Sequence, residues 1–213
     1  MSPESDKRIV RFVPNGLTLI RLVMTLVFLA MILYAPRLGR EKPANFLLIA
    51  FILFVVAGVT DIVDGHIARM FNVTSKFGRM IDPLADKVLV CGAFICFAIV
   101  KQPKLANFEL SEVTMMIFWW LTAVIIVARE IFVTVQRHIA EARGVNFAAT
   151  VSGKIKMFLQ SVGIGTVVMK WAYVSREWGD WFTVIAFALM LAVTVISGVQ
   201  SLQRPTKKSQ VQR

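Results

Sequence analysis

Asp61-Ile62-Val63-Asp64-Gly65-His66-Ile67-Ala68-Arg69, followed by eight residues, Gly78, three residues, Asp82, three residues and Asp86, decides how this chain is read. Four carboxylates stand there at helical spacings, between strongly apolar segments on either side. An Asp at the centre of a membrane helix costs roughly 2.5–3.5 kcal/mol on insertion scales, so four sum to about 10 kcal/mol unless cations compensate. One or two divalent metal ions are the obvious compensators. Asp61 and Asp64 are i, i+3 and Asp82 and Asp86 are i, i+4, so each pair shares one helix face. Asn72, Thr74, Ser75 and Gly78 suit a short turn between two antiparallel helices, which lets the pairs converge.

The surrounding composition places this hairpin in a membrane. Of 213 residues 57% are hydrophobic and 17% charged, and the mean hydropathy is +0.68. Soluble domains average about 25% charged residues. The formal net charge of +11 brings nucleic acid to mind, but the cations gather in loops and near segment ends, as at a cytoplasmic membrane face. No nucleic-acid partner is expected. Cys91 and Cys96 fall five apart within one apolar segment and lack a flanking His cluster, so they read as small buried hydrophobes, not as a disulfide or zinc site. The opening residues have no apolar core directly after the basic ones and no small-x-small site, so no cleaved leader is expected.

Six apolar segments are long enough, or nearly so, to span a bilayer. The fold expected is an all-α integral membrane protein with transmembrane helices at about 17–34, 46–70, 83–100, 113–138, 151–171 and 178–200. One domain covers 1–203, and 204–213 is a polar, basic, disordered tail. Ile9, Val10, Phe12 and Val13 among Lys7, Arg8 and Arg11 read as an N-terminal juxtamembrane amphipathic helix, with a mobile basic arm as the alternative. With both termini in the cytoplasm, Lys7, Arg8, Arg11, Arg69, Lys76, Arg79, Lys87, Arg137, Arg143, Lys154, Lys156, Arg204, Lys207, Lys208 and Arg213 fall inside. Arg37, Arg40, Lys42, Lys101, Lys104, Lys170 and Arg176 fall outside. That excess puts the acidic motif on the cytoplasmic side. Trp171, Trp178 and Trp181 fit an outer aromatic belt, while Trp119 and Trp120 lie deeper.

Hard oxygen ligands in this number suit Mg²⁺ or Mn²⁺, and two ions held by shared carboxylates recur where displacement occurs at phosphorus. Gly65, Ala68 and Gly78 let a ligand approach the backbone, and Arg69 is placed to meet a phosphate. Blander readings stand beside these. Asp82-Pro83 has the form of a helix start, with Asp as N-cap and Pro at the first helical position. The other acids can be satisfied by ion pairs with Arg69, Arg79 and Lys87. His66, at i+2 from Asp64, points away from the acids.

The pattern D-x2-D-G-x2-A-R-x8-G-x3-D-x3-D resembles the signature of the CDP-alcohol phosphotransferase family, and Asp61, Asp64, Gly65, Ala68, Arg69, Gly78, Asp82 and Asp86 match every fixed position. The resemblance implies six transmembrane helices, a homodimer, and transfer of a substituted phosphate from a CDP-linked donor to an alcohol. It implies Asp61, Asp64 and Asp82 as ligands of two Mg²⁺ or Mn²⁺ ions. It implies Asp86 as the general base, also touching the metal site. Asp61, Gly65, Ala68, Arg69 and Gly78 would border the CDP moiety. A positioned carboxylate that takes the proton of an attacking hydroxyl is worth roughly 10²–10⁴ in rate.

Beyond the signature, Pro14-Asn15-Gly16-Leu17-Thr18-Leu19-Ile20-Arg21, Asp82-Pro83-Leu84-Ala85-Asp86-Lys87, Arg129-Glu130, and Gly153-Lys154-Ile155-Lys156 followed by Gln160 resemble bacterial phosphatidylglycerophosphate synthases. Met157, where Thr is expected, and His66, where an aromatic is common, depart from that pattern. The reaction so implied moves a phosphatidyl group from CDP-diacylglycerol to glycerol 3-phosphate and releases CMP, in a bacterial inner membrane. Read from the residues alone, Arg129, Lys154, Lys156 and the intramembrane Arg21 form a candidate cradle for an anionic acceptor's phosphate. The alternative is that these cations snorkel to lipid headgroups. Two functional alternatives remain open here. One is the same chemistry with inositol phosphate, serine or phosphatidylglycerol as acceptor; the other is a cation transporter whose acids line a path.

Overall fold

The structure is a computed structural model. It describes residues 3–38, 43–70, 76–105, 108, 110–143, 151–174 and 176–202, without the side chains of 3–15, 17, 43, 61–70, 76–83, 141, 151, 152 and 154. The described residues form helices α1 (Pro3–Tyr34), α2 (Pro43–Met70), α3 (Lys76–Val100), α4 (Glu112–Ala142), α5 (Val151–Tyr173) and α6 (Glu177–Leu202), with a 3-10 turn at Ala35–Leu38. Helices satisfy every backbone donor and acceptor within the segment, which is what a long apolar run in lipid requires. Helix starts carry their own signals. Ser111 caps α4, its Oγ accepting from the Thr114 amide at 3.1 Å, and Glu112 follows in the first turn. Glu177 and Asp180 occupy the first turn of α6.

Among the described residues, three stretches are long and apolar enough to cross a membrane: Thr18–Leu38, Glu112–Ala140 and Glu177–Leu202. The apolar run Ala44–Thr60 of α2 is shorter. Charged residues lie at the ends of or within the apolar stretches of α2, α3 and α5: the motif acids, Lys87 and the lysines at 154, 156 and 170. Large apolar side chains also cover the outside, among them Leu26, Val124, Ile131, Phe158, Phe182 and Leu189, each more than half exposed. A surface as oily as its core is that of a multi-pass membrane protein.

Two expectations are corrected. The juxtamembrane helix is not a separate element: α1 runs unbroken from Pro3 through Pro14 to Tyr34. Proline's φ is compatible with a helix, and Pro14 removes one donor without ending the run. Nor does α3 start at Asp82-Pro83. It starts at Lys76, so both residues lie inside it. Ser75, directly before Lys76, is itself a favoured N-cap type, and that competing signal went unread.

The helices close a ring. α1 packs against both α2 and α3, α2 against α5, α5 against α6, α6 against α4, and α4 against α3. Going round, the order is α1, α2, α5, α6, α4, α3, and α3 also touches α5 across the interior. Phe187 of α6 anchors the core, its ring centroid 5.9 Å from Phe94, 5.2 Å from Trp119 and 6.1 Å from Phe118. Phe28 and Phe54 join α1 to α2 at 5.5 Å. Gly163 allows the close approach of α5: a Cβ there would stand 2.9 Å from the Met190 sulfur and 3.6 Å from the Phe94 ring.

At the end of the bundle away from Met70 and Lys76, Lys170 forms a buried ion pair with Asp180. Lys170 is thus not an open loop charge; a cation in this setting needs a counter-charge. Trp178 and Trp181 are exposed beside it, whereas Trp119 is core. An apolar groove of about 460 Å³, lined by Phe51, Phe54, Met169, Phe182 and others between α2, α5 and α6, opens in this half.

Candidate active site

The core contacts set the relative heights of the helices, and those heights bring the site together. Gly163 of α5 meets Phe94 of α3 and Met190 of α6. Seven residues back on α5 is Lys156, and seven back on α3 is Lys87, beside Asp86. α6 runs the other way, so seven residues on from Met190 is Ser197. Leu29 of α1 meets Gly92 of α3, which puts Arg21, eight residues back, near position 84. Phe51 of α2 meets Gly165, which sets the backbone near residues 60–61 level with Lys156. Trp119 meets Phe187, so Arg129, ten residues on, comes level with Ser197. Residues from all six helices therefore reach one height, within about one helical turn.

Two ion-paired groups occupy that layer. Arg21, only 2% exposed, has Nη1 3.5 Å from Oδ1 of the half-buried Asp86. Across the ring, the buried Glu130 carboxylate pairs with Lys156 and with Arg129, whose Nη1 lies 3.1 Å from Oε1. Arg129 also donates from Nη2 to Ser197 Oγ at 2.9 Å, and Ser197 donates to the Thr194 carbonyl at 3.0 Å. The buried Lys156 and the partly buried Arg129 share one carboxylate, so the group keeps a net charge of one plus, in surroundings where water competes little. Ser197→Ala should lower stability by about 1.5–3 kcal/mol, the range for a hydrogen bond to a charged group. Thermal unfolding in detergent reads this, and an unchanged midpoint would remove Ser197 from the network.

The remaining expected site residues are placed by backbone alone. Asp61, Asp64, Gly65, Ala68 and Arg69 lie in the last turns of α2, and Gly78 and Asp82 in the first turns of α3. Lys154 lies in the first turn of α5. The side chains of these residues, like that of His66, fall outside those described. Both helices are continuous through their acid pairs, so each pair does share a face. An all-oxygen donor set so arranged fits a hard divalent cation. Among the described residues no three acids, histidines or cysteines gather to hold a metal.

Residues 11–196 match the CDP-alcohol phosphatidyltransferase family model. The chain belongs to this family. It is a membrane transferase of phospholipid biosynthesis that works with a CDP-diacylglycerol donor. This phosphatidyltransferase is 34% identical over 190 residues to the probable phosphatidylglycerophosphate synthase of Mycobacterium tuberculosis (strain ATCC 25618 / H37Rv), covering 89% of this chain and 79% of the relative. It is 34% identical over 196 residues to the CDP-diacylglycerol–glycerol-3-phosphate 3-phosphatidyltransferase of Bacillus subtilis (strain 168), covering 87% and 90%. The Salmonella choleraesuis (strain SC-B67) protein of the same name is 27% identical over 194 residues, covering 89% and 92%.

Within the phosphatidyltransferase, Glu130 is the residue that sequence reasoning passed over. Its signal was present: an acid inside an apolar helix, beside Arg129, requires cationic partners from elsewhere, and Lys156 was already in view. Ser197 had no comparable signal, since serine is unremarkable in a membrane helix.

Proposed function

We propose that the enzyme transfers the phosphatidyl group of CDP-diacylglycerol to glycerol 3-phosphate, giving phosphatidylglycerol phosphate and CMP. The observation that carries the acceptor is the buried Arg129–Glu130–Lys156 group on α4 and α5, with its net positive charge at the height of Asp86. A phosphate-bearing alcohol matches that charge; a neutral or zwitterionic acceptor does not. The names and coverage of the relatives support the same reading.

In this reading the whole of 1–203 is one catalytic membrane domain of six crossings, acting as a homodimer, with the site and both termini on the cytoplasmic side. Asp61, Asp64, Asp82 and Asp86 hold two Mg²⁺ or Mn²⁺ ions. When bound, these neutralise the pyrophosphate of the donor and the departing phosphate. Gly65, Ala68 and Gly78 keep the backbone open beside the CDP moiety, and Arg69 meets its phosphates. Arg129, Lys154 and Lys156 hold the acceptor's phosphate. Arg21, at 3.5 Å, orients the Asp86 carboxylate and adds positive charge on the acceptor's other side. Asp86 takes the proton of the acceptor's primary hydroxyl as its oxygen bonds to the phosphorus carrying the lipid. The bond from that phosphorus to CMP breaks, and CMP leaves. No covalent enzyme intermediate is needed.

The test is an acceptor panel. Purified protein with Mg²⁺ and CDP-diacylglycerol is offered glycerol 3-phosphate, inositol phosphate, serine or phosphatidylglycerol, and CMP release is followed. Release with glycerol 3-phosphate is expected. Release with another acceptor and none with glycerol 3-phosphate overturns the reading.

A further inference from the structure

One turn deeper than the ion-paired layer stands a polar group that the mechanism above does not use. Gln160 is 1% exposed, and neither its amide oxygen nor its amide nitrogen has a hydrogen-bond partner among the described residues. It follows Lys156 by four positions, so it lies on the same face of α5. Lys156 on one side of it reaches Glu130 of α4, and Gly163 on the other meets Phe94 of α3 and Met190 of α6. Gln160 therefore faces the interior of the ring. Antiparallel pairing from the Gly163–Met190 contact brings it level with Thr194 of α6, whose fully buried Oγ1 also lacks a partner among the described residues. Buried side-chain amides are nearly always satisfied, because desolvation without a partner is costly. Two such groups at one level, a turn beneath the candidate phosphate cradle, form a polar floor with room in its bonding for a hydroxylated guest.

We infer that Gln160 reads the secondary hydroxyl of the acceptor. The inference rests on the glycerol 3-phosphate reading above. With the acceptor's phosphate on Arg129 and Lys156 and its primary hydroxyl at Asp86, both at one height, the carbon between them lies over the floor. An amide both donates and accepts, as a hydroxyl does, so one side chain meets both needs of that group. Gln160 then selects a three-carbon polyol phosphate over a simple diol phosphate. Lys156 selects only for charge.

Steady-state kinetics on the full-length protein in detergent, with CDP-diacylglycerol and Mg²⁺, test this. Glycerol 3-phosphate is compared with 3-hydroxypropyl phosphate, which keeps the phosphate and the primary hydroxyl and lacks the secondary one. The unmodified enzyme should prefer glycerol 3-phosphate by about tenfold or more in kcat/KM, because a site built to bond a hydroxyl rejects the analogue without it. Gln160→Met, similar in shape and apolar, should bring that ratio near one by slowing glycerol 3-phosphate alone. Equal use of both acceptors by the unmodified enzyme overturns the assignment. So does a Gln160→Met enzyme that slows both equally, since a purely structural role leaves the ratio intact. Should Gln160→Met fail to fold, Gln160→Asn decides on the same ratio. An unmodified enzyme that releases CMP with neither compound, but does so with another alcohol, overturns the acceptor reading itself, a result distinct from the others.

Discussion

Asp86→Asn should lower turnover by about 10²–10⁴, the usual worth of a positioned general base, while CDP-diacylglycerol binding stays within a fewfold of the parent. The substitution keeps the side chain's size and its capacity to accept from Arg21, which stands 3.5 Å away. It removes the carboxylate that takes the proton. CMP release under single-turnover conditions gives the chemical step, and equilibrium binding of labelled CDP-diacylglycerol gives the donor's affinity. The pattern expected is a collapse of kcat with little change in donor binding, as for a group whose contribution is made in the transition state. Near-normal turnover would mean that another group takes the proton. Loss of donor binding along with turnover would place Asp86 chiefly among the metal-holding acids.

Glu130→Ala should destabilise the fold by about 3–5 kcal/mol, because it leaves Arg129 and Lys156 buried without their shared carboxylate. That is a factor of roughly 10²–10⁴ in the folding equilibrium. Adding Lys156→Met should recover most of the loss, since it removes one of the stranded charges and fills its volume. The double variant separates stability from function: its thermal midpoint approaches the parent's, while its KM for glycerol 3-phosphate rises and its KM for the donor does not. A Glu130→Ala protein that unfolds at the parent's temperature would show that water already reaches the group. Such a result would make the pair worth only about 0–1 kcal/mol, as at an exposed surface.

The comparison of sequence with structure turns on a few residues. The acid motif was legible because oil and carboxylate are so mismatched that spacing alone carries meaning, and α2 and α3 do run as helices through both pairs. The start of α3 was misplaced because Asp-Pro is a strong start signal in isolation, and local signals do not rank themselves against a nearby Ser-Lys. Arg129 and Lys156 were legible as candidate cradle cations at helix ends, but their meeting through Glu130 was not. It depends on the height of α4 against α5, which Trp119, Phe187 and Gly163 set through packing. The same limit hid Lys170–Asp180: Lys170 counted only as an outer-face cation, and its pairing with an acid ten residues on depends on how α5 and α6 pack. The ring order was beyond reach as well, because helices that are apolar all round carry no periodic stripe to say which neighbour each one faces.

That ring order has a consequence for how the protein is made. α1 stands between α2 and α3, so these three helices, made before α4, α5 and α6, form an open arc carrying all four motif acids and Arg21. Arg129, Glu130, Lys156 and Gln160 arrive only with α4 and α5, and α6 is the strut that joins α4 to α5 and shuts the arc. A chain halted before α6 thus holds every residue of the signature inside an unsealed barrel of helices, with Arg129 missing its Ser197 and Lys170 its Asp180. Lys170 is then left in oil without its counter-charge, whereas Arg129 keeps Glu130 and loses only the Ser197 hydrogen bond. α6 thus completes the polar pairing of groups that α4 and α5 carry into the bilayer.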